Sequence, residues 1–318
     1  MTDGDFKLER RRLGRSDLEV TSVGLGAWSW GATRVWGYGK RYGRQEVEDA
    51  WWKSIEMGVN FVDTASVYGN GESERIIGDL LKRTEEDIII ATKYFPLHMM
   101  TRSVRGAAER SLRRLDLKEV DLYQVHFPPF FMSLKGTMRE MERLVREGKV
   151  RHIGVSNFNV KQLEAARSYL SREDVVSNQI HYNVVNRLPE RNGMIEHARR
   201  EGVTIIAYSP IAMGLLTGKY NLGNRPGGIR RFNRKFSRRG LRQVAPFLAK
   251  LREMASPECG TMAQASLAWL LKDPNVVVIP GAKNPRQAEE NAAAAACSMS
   301  DTQVQELDHA YARFVPGW

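Results

Sequence analysis

The chain has 318 residues, 42% hydrophobic and 27% charged, which suits a folded core and excludes a disordered or fibrous protein. Its polar start, Met1 to Arg15, lacks the apolar stretch of a secretory leader, and no run of 18 apolar residues suggests a membrane span. Two cysteines, Cys259 and Cys297, predict no disulfide framework and fit a reducing, cytoplasmic setting. The net charge is +11, and eight basic residues with no acidic one fall in Arg225–Arg242, "RPGGIRRFNRKFSRRGLR". With its Gly and Pro the stretch reads as a loop. It is a solvated surface, a clamp on an anionic small molecule or a nucleic-acid contact, and no nucleic-acid motif accompanies it.

In chain order, Leu8–Leu13 and Leu18–Val20 flank the polar turn "GRSD" and predict a hairpin. Strands are predicted at Ser22–Ala27, Val59–Asp63, Asp87–Lys93, Val120–His126, Val150–Ser156, Val176–Gln179, Val203–Tyr208 and Val276–Pro280. Helical periodicity runs between them, over Val47–Met57, Ser73–Leu81, Val104–Leu115, Leu134–Glu147, Val160–Leu170 and Gly193–Glu201. Two further helices, Gln243–Ala255 and Thr261–Leu271, lie between the seventh and eighth strands. Eight strand–helix units predict a (β/α)8 TIM barrel as one domain over residues 1–318, with the hairpin capping its N-terminal mouth and extra C-terminal helices. A doubly wound open sheet is the competitor. The "GLGAWSWG" after the first strand lacks the glycine spacing of its fingerprint.

The strand ends carry the functional signal. Apolar strands stop at Asp63, Lys93, His126, Ser156 and Asn157, Gln179, and Tyr208 and Ser209. In a barrel these tips gather on one face, where active sites lie. A tyrosine five residues past Asp63, Tyr68, completes a set with chemical meaning. A phenol near pKa ~10 donates protons reluctantly at neutral pH. A neighbouring ammonium favours phenolate, a carboxylate holds the ammonium charged, and a histidine can orient a carbonyl oxygen. Metal binding is not predicted, because His126, His152, His181 and the cysteines show no ligand spacing.

These stretches, "GVNFVDTASVYGNGESERIIG" at 58–78, "ATK" at 91–93, "YQVH" at 123–126, "IGVSNF" at 153–158 and "IPGAKNPRQAEEN" at 279–291, together resemble the aldo-keto reductase superfamily. The likeness is to the branch of bacterial general reductases and potassium-channel β subunits. It implies NADP(H)-dependent reduction of aldehydes or ketones, of the alcohol dehydrogenase or carbonyl reductase type, by a cytoplasmic monomer. It makes Tyr68 the proton donor, Lys93 and Asp63 its tuning pair and His126 the orienting residue. It puts Ser156, Asn157 and Gln179 on the nicotinamide carboxamide, Tyr208 against the nicotinamide ring, and Trp28 and Asp63 beside the cofactor. Backbone around Ser209, Pro210, Gly214 and Leu216 would meet the pyrophosphate. Gly281, Lys283, Gln287, Glu290 and Asn291 match the adenosine end.

Gly281 and Ala282 stand where many relatives place a basic residue, and Gln287 where an arginine is often found. The 2′-phosphate would then rely on Lys283, Lys219 and a basic-loop arginine such as Arg230, which predicts NADPH over NADH. Trp28, Trp30, Trp36 and Tyr38, the Tyr94–Met100 stretch and "FPPFF" (Phe127–Phe131) line an apolar substrate cavity or pack loops against the rim. The substrate contacts predicted are Trp28, Trp30, Trp36, Tyr68, Tyr94, His126 and Phe127, around a small carbonyl compound. The other reading is an NADPH-binding regulatory or scaffold subunit with little turnover.

Overall fold

Strands that are apolar on successive positions, each followed by a helix with one apolar face, need helices over the outside of their sheet. The computed structural model, which describes residues 7–96, 103–255 and 259–314, meets that need. A two-stranded antiparallel hairpin comes first, β1 (Arg10–Arg12) with β2 (Glu19–Thr21), Arg11 lying opposite Val20. Eight parallel strands follow: β3 (Leu25–Gly26), β4 (Phe61–Asp63), β5 (Ile89–Tyr94), β6 (Val120–Val125), β7 (Val150–Ser156), β8 (Val175–His181), β9 (Thr204–Tyr208) and β10 (Val276–Val278). They pair in chain order. The two ends of the sheet then meet: Gly24 N–H donates to Val278 O at 2.8 Å, Val278 N–H to Ser22 O at 3.0 Å and Gly26 N–H to Pro280 O at 3.0 Å. The sheet is a closed (β/α)8 barrel.

Inside it, Phe61, Ile89, Ala91, Leu122, Val176, Ile206, Val277 and Ile279 pack with Leu13, Leu18 and Val20 of the hairpin. The hairpin thus plugs the N-terminal mouth. Gly14 sits at φ +56°, where a Cβ would lie 2.4 Å from Val176 O, and its N–H donates to Thr204 Oγ1 at 2.8 Å. Arg11 reaches past the rim to Leu271 O, Asp273 O and Val276 O at 2.8, 2.8 and 2.6 Å.

The barrel helices are α2 (Arg44–Glu56), α3 (Glu72–Leu81), α4 (Ser103–Leu115), α5 (Leu134–Arg146), α6 (Val160–Ser168), α8 (Met194–Glu201), α10 (Met262–Leu271) and α11 (Pro285–Ala293). Short α1 (Thr33–Trp36) and α7 (Leu188–Arg191) are additions, as are α9 (Arg238–Glu253) and α12 (Asp301–Phe314), which pack together. Two expectations change. The basic stretch is more ordered than a loop: Ser237 Oγ accepts from Gly240 N–H at 3.0 Å and starts α9 at Arg238, ahead of the expected Gln243. Short 3₁₀ turns occupy Gly228–Phe232 and Arg234–Phe236. Cys259 and Cys297 are joined in a disulfide with Cα atoms 4.6 Å apart, against the expectation of free thiols. The packing of α10 against the turn after α11 lies beside this link between residues 38 apart in sequence. Among the described residues no helix is long and apolar enough to cross a membrane.

The closing seam depends on Gly26, where a Cβ would lie 2.6 Å from the backbone oxygen of Ile279. Gly26→Ala is expected to lower stability by about 1–3 kcal/mol in urea unfolding. A midpoint equal to wild type would show that the seam widens without cost.

Candidate active site

With its floor plugged, the barrel opens only at the mouth where strand C-termini converge. Asp63 ends β4, Lys93 lies one residue before the end of β5, His126 follows β6, and Gln179 lies in β8. Tyr68 reaches the same place on a turn, Tyr68–Gly71, in which Gly69 takes φ +55°. A Cβ on Gly69 would lie 2.7 Å from Gly31 C, so only glycine lets this turn close onto the mouth.

Lys93 has no exposed surface, and Asp63 is 2% exposed. The Lys93 ammonium donates to Asp63 Oδ1 at 2.5 Å, to Thr64 O at 2.8 Å and to the Tyr68 hydroxyl oxygen at 3.3 Å. Three N–H groups meet three acceptors, the pattern that suits the charged form. Because the phenol oxygen accepts from Lys93, the Tyr68 hydrogen is left to point elsewhere. Asp63 Oδ2 accepts from Gln179 Nε2 at 2.7 Å and from Gln124 Nε2 at 3.1 Å.

Burial pushes the Lys93 pKa down and the Asp63 charge opposes it. Tyr68 is pushed well above its ordinary value, by burial first and then by Asp63. The expected lowering by lysine is not seen, because Asp63 offsets the lysine charge and a phenolate here would be poorly solvated. Tyr68 therefore rests as a neutral, proton-bearing phenol. His126 is held down to about 3, by burial and then by Lys93, so its imidazole is neutral. It packs edge-on to Tyr68, with centroids 5.9 Å apart, and stacks on Phe127 at 5.0 Å. Its Nδ1 is buried with no partner among the described residues.

A cleft of about 500 Å³ runs from this cluster across the mouth. Asp63, Tyr68, Gln179 and Trp28 line its near end, and Tyr208, Ser209, Pro210 and Gly214 its middle. Trp36, Lys219, Arg230, Gly281, Lys283, Gln287, Glu290 and Asn291 line the far end. Tyr208 stacks on His181 at 5.3 Å, and its hydroxyl donates to Asn157 Oδ1 at 2.9 Å. Burial holds its pKa up to about 12.

Other candidates lie off the cleft. Ser156 Oγ donates to Gln179 O at 2.8 Å, and Asn157 Nδ2 donates to His126 O and Ser156 Oγ, both at 3.0 Å. They buttress Gln179 and Tyr208 from behind. Leu216 is buried, and the Gly214 and Leu216 amides both donate to Ile211 O, at 2.9 and 3.4 Å. Trp30 is buried against Trp51, its indole N–H donating to Ala282 O at 2.9 Å. The Tyr94 hydroxyl is turned to Met132 Sδ at 3.1 Å. Phe95 instead meets His126 and Phe127 edge-on, at 5.3 and 5.7 Å. Trp28 packs on Trp36 and Tyr68, with centroids 5.2 and 6.3 Å away. Residues 97–100 of the predicted Tyr94–Met100 wall lie outside the described residues.

The far end is a cluster of cations. The Arg230 guanidinium lies 4.7 Å from the Trp36 ring centroid and donates to Met213 O at 3.3 Å and the Tyr220 hydroxyl at 3.1 Å. Its Nε is buried without a partner among the described residues. Lys283 Nζ lies 4.3 Å from the same Trp36 ring and 5.0 Å from Tyr42. Burial first, then the like charges of Arg230, Lys219 and Arg41, hold its pKa down to about 7. The sequence reading missed Arg286, Met213, Thr217 and Asn284 as cleft residues. Asn284 Oδ1 accepts from Gln287 N–H at 3.0 Å, so the "NP" pair starts α11 and sets Arg286 in its first turn. That helix-start signal was legible. Met213 had none, because its place depends on left-handed backbone at Ser209, Ala212 and Met213 (φ +50°, +48° and +57°).

The sequence model of the aldo/keto reductase family matches residues 22–312. An uncharacterised oxidoreductase of Mycobacterium bovis is 38% identical over 299 residues, covering 94% of this chain and 91% of its own length. The NADH-specific methylglyoxal reductase of Escherichia coli K12 is 29% identical over 327 residues, covering 95% of this chain and 98% of its own. An aldo-keto reductase from Klebsiella pneumoniae, solved in complex with NADPH, superposes with a TM-score of 0.78 at 27% identity, over 96% of this chain and 95% of its own. On a match spanning most of its length, and with this barrel and mouth, the chain belongs to the aldo/keto reductase family.

Proposed function

We propose that the chain is an NADPH-dependent reductase of aldehydes and ketones, with Tyr68 as proton donor, Lys93 and Asp63 as its governing pair and His126 orienting the carbonyl. The observation that carries this reading is the buried Lys93 ammonium, which touches Asp63 and the Tyr68 hydroxyl together at the end of a long cleft.

The residues present fit a dinucleotide phosphate. Lys219, Arg230 and Lys283 gather like charge at one end of the cleft, which is costly unless an anion joins them. The unpartnered Arg230 Nε is a donor awaiting such a group. Left-handed Ser209, Ala212 and Met213 are strained non-glycine positions along the same wall, and strain of this kind collects at functional sites. In this reading Lys219, Arg230 and Lys283 hold the 2′-phosphate, and Arg286 adds a fourth cation. Gly281, Gln287, Glu290 and Asn291 face the adenosine, Ser209, Pro210 and Gly214 the pyrophosphate, and Tyr208 and Gln179 the nicotinamide. Ser156 and Asn157 act behind the last two. A bound nicotinamide supplies the hydride.

The chain supplies the proton. The neutral His126 imidazole donates a hydrogen bond to the carbonyl oxygen and fixes it beside Tyr68. The Tyr68 hydrogen, not engaged by Lys93, passes to that oxygen as negative charge grows on it. The phenolate left behind lies beside the Lys93 ammonium, which Asp63 keeps charged. Help of this kind is worth roughly 10²–10⁴ in rate. Trp28 against Tyr68, and Phe95 and Phe127 against His126, favour an apolar or aromatic carbonyl substrate.

An NADPH-oxidation screen over aldehydes, ketones and sugars tests the reading. Tyr68→Phe is expected to lose at least about 10²-fold in kcat and to keep its affinity for NADP+. Undiminished turnover would remove Tyr68 from the reaction, and turnover of hexoses alone would refute the aromatic wall.

Cofactor choice is tested through Lys283. In the ligand-free protein its ammonium is lost as pH rises through about 7, whereas the phosphate complex requires it. Affinity for NADP+ is expected to weaken by up to about tenfold per pH unit as pH rises above about 7, while NAD+ affinity stays level. Lys283→Met is expected to abolish that slope and to weaken NADP+ at pH 7 by about tenfold. Titration calorimetry between pH 7 and 9 measures both, and parallel curves for the two cofactors would contradict the assignment.

A further inference from the structure

Gln124 has no part in the mechanism above. It lies on β6 without exposed surface, and Lys93 is its register partner on β5. Its Nε2 donates to Asp63 Oδ2 at 3.1 Å, and its Oε1 accepts from Gln179 Nε2 at 3.3 Å. Gln179 Nε2 also donates to Asp63 Oδ2, at 2.7 Å. The three side chains form a closed triangle.

A primary amide carries two donor hydrogens on nitrogen and an acceptor oxygen. Gln179 spends both hydrogens inside the triangle, so Oε1 is the atom it can offer the cleft it lines. Reversing Gln179 would set its oxygen against Asp63 Oδ2 and Gln124 Oε1, three acceptors with no hydrogen between them. Reversing Gln124 would turn its oxygen on the carboxylate and its NH2 on another NH2. One orientation of both amides is therefore consistent. Asp63 pins one hydrogen of Gln179 and leaves the amide able to swing about that bond. The second contact, to Gln124, fixes its plane.

We infer that Gln124 is a positioning residue that holds Gln179 with only its carbonyl toward the cleft, selecting an N–H donor such as the carboxamide of a nicotinamide ring. The inference rests on the reading of the cleft as an NADP(H) site.

Gln124→Met keeps length and bulk and deletes both hydrogen bonds. Binding is read by the change in intrinsic tryptophan fluorescence, to which Trp28 and Trp36 of the cleft contribute, with NADP+ and with 2′-phospho-ADP-ribose, which lacks the nicotinamide. Gln124→Met is expected to weaken NADP+ about fivefold and to leave the fragment unchanged. Gln179→Leu should show at least the same loss on NADP+ and none on the fragment. Unchanged NADP+ binding in Gln124→Met would overturn the inference, as would equal weakening of both ligands, the mark of a disturbed barrel mouth. The wild-type protein gives a check that needs no variant. The 3-acetylpyridine analogue of NADP+, whose methyl ketone has no N–H, should bind about fivefold more weakly than NADP+. Equal binding would refute the selection of a donor and spare the cofactor reading. Wild type that bound neither NADP+ nor the fragment would sink both.

Discussion

A lysine with no surface in water keeps its charge only if every one of its hydrogens finds an acceptor and a counter-charge stands beside it. Lys93 meets both conditions, through Asp63, Thr64 O and the Tyr68 hydroxyl. Much of the mouth is arranged around that requirement. Asp63 must present one oxygen to the ammonium, so its other oxygen is taken up by two glutamine amides. Tyr68 must come down onto the ammonium, so its turn runs through Gly69 against Gly31. The same charge helps keep His126 neutral, and thereby a hydrogen-bonding group rather than a second cation.

The rest of the barrel decides where this cluster can act. The hairpin fills the lower mouth with Leu13, Leu18 and Val20, which leaves one end open. The seam at Gly26 and Ile279 closes the sheet, and Gly26 is the register partner of both Asp63 and Gly281, so the Lys283 stretch lines the same cleft as the Lys93 cluster. The cleft therefore has a chemical gradient. A neutral phenol and imidazole ringed by aromatic rings occupy one end, and cations stacked on Trp36 the other.

Strand positions were legible because apolar runs bounded by helix periodicity leave few alternatives, and each strand falls within two residues of its predicted span or inside it. Polar residues at strand tips were legible for the same reason. Other features were not. Trp30 and Tyr94 read as cavity walls, yet the first turns inward to Ala282 O and the second to Met132, choices set by neighbours remote in sequence. Ser156 and Asn157 share the strand-tip signature of Gln179, but their hydrogens go to Gln179 O, Ser156 Oγ and His126 O. The start of α9 at Arg238, capped by Ser237, lay hidden inside a stretch whose charge looked like a loop.

Sequence alone determined the eight-unit alternation, the polar residues at six of the strand ends and the concentration of positive charge, and its motifs carried the family resemblance. The first three follow from local periodicity and residue type. Tertiary structure decided the protonated rest state of Tyr68, the depressed Lys283, the Cys259–Cys297 disulfide and the triangle of Asp63, Gln124 and Gln179. The physical reason is common to all four. Solvation, charge proximity and hydrogen-bond direction depend on which side chains share a few ångströms of buried space, and closure of the barrel is what brings those residues together.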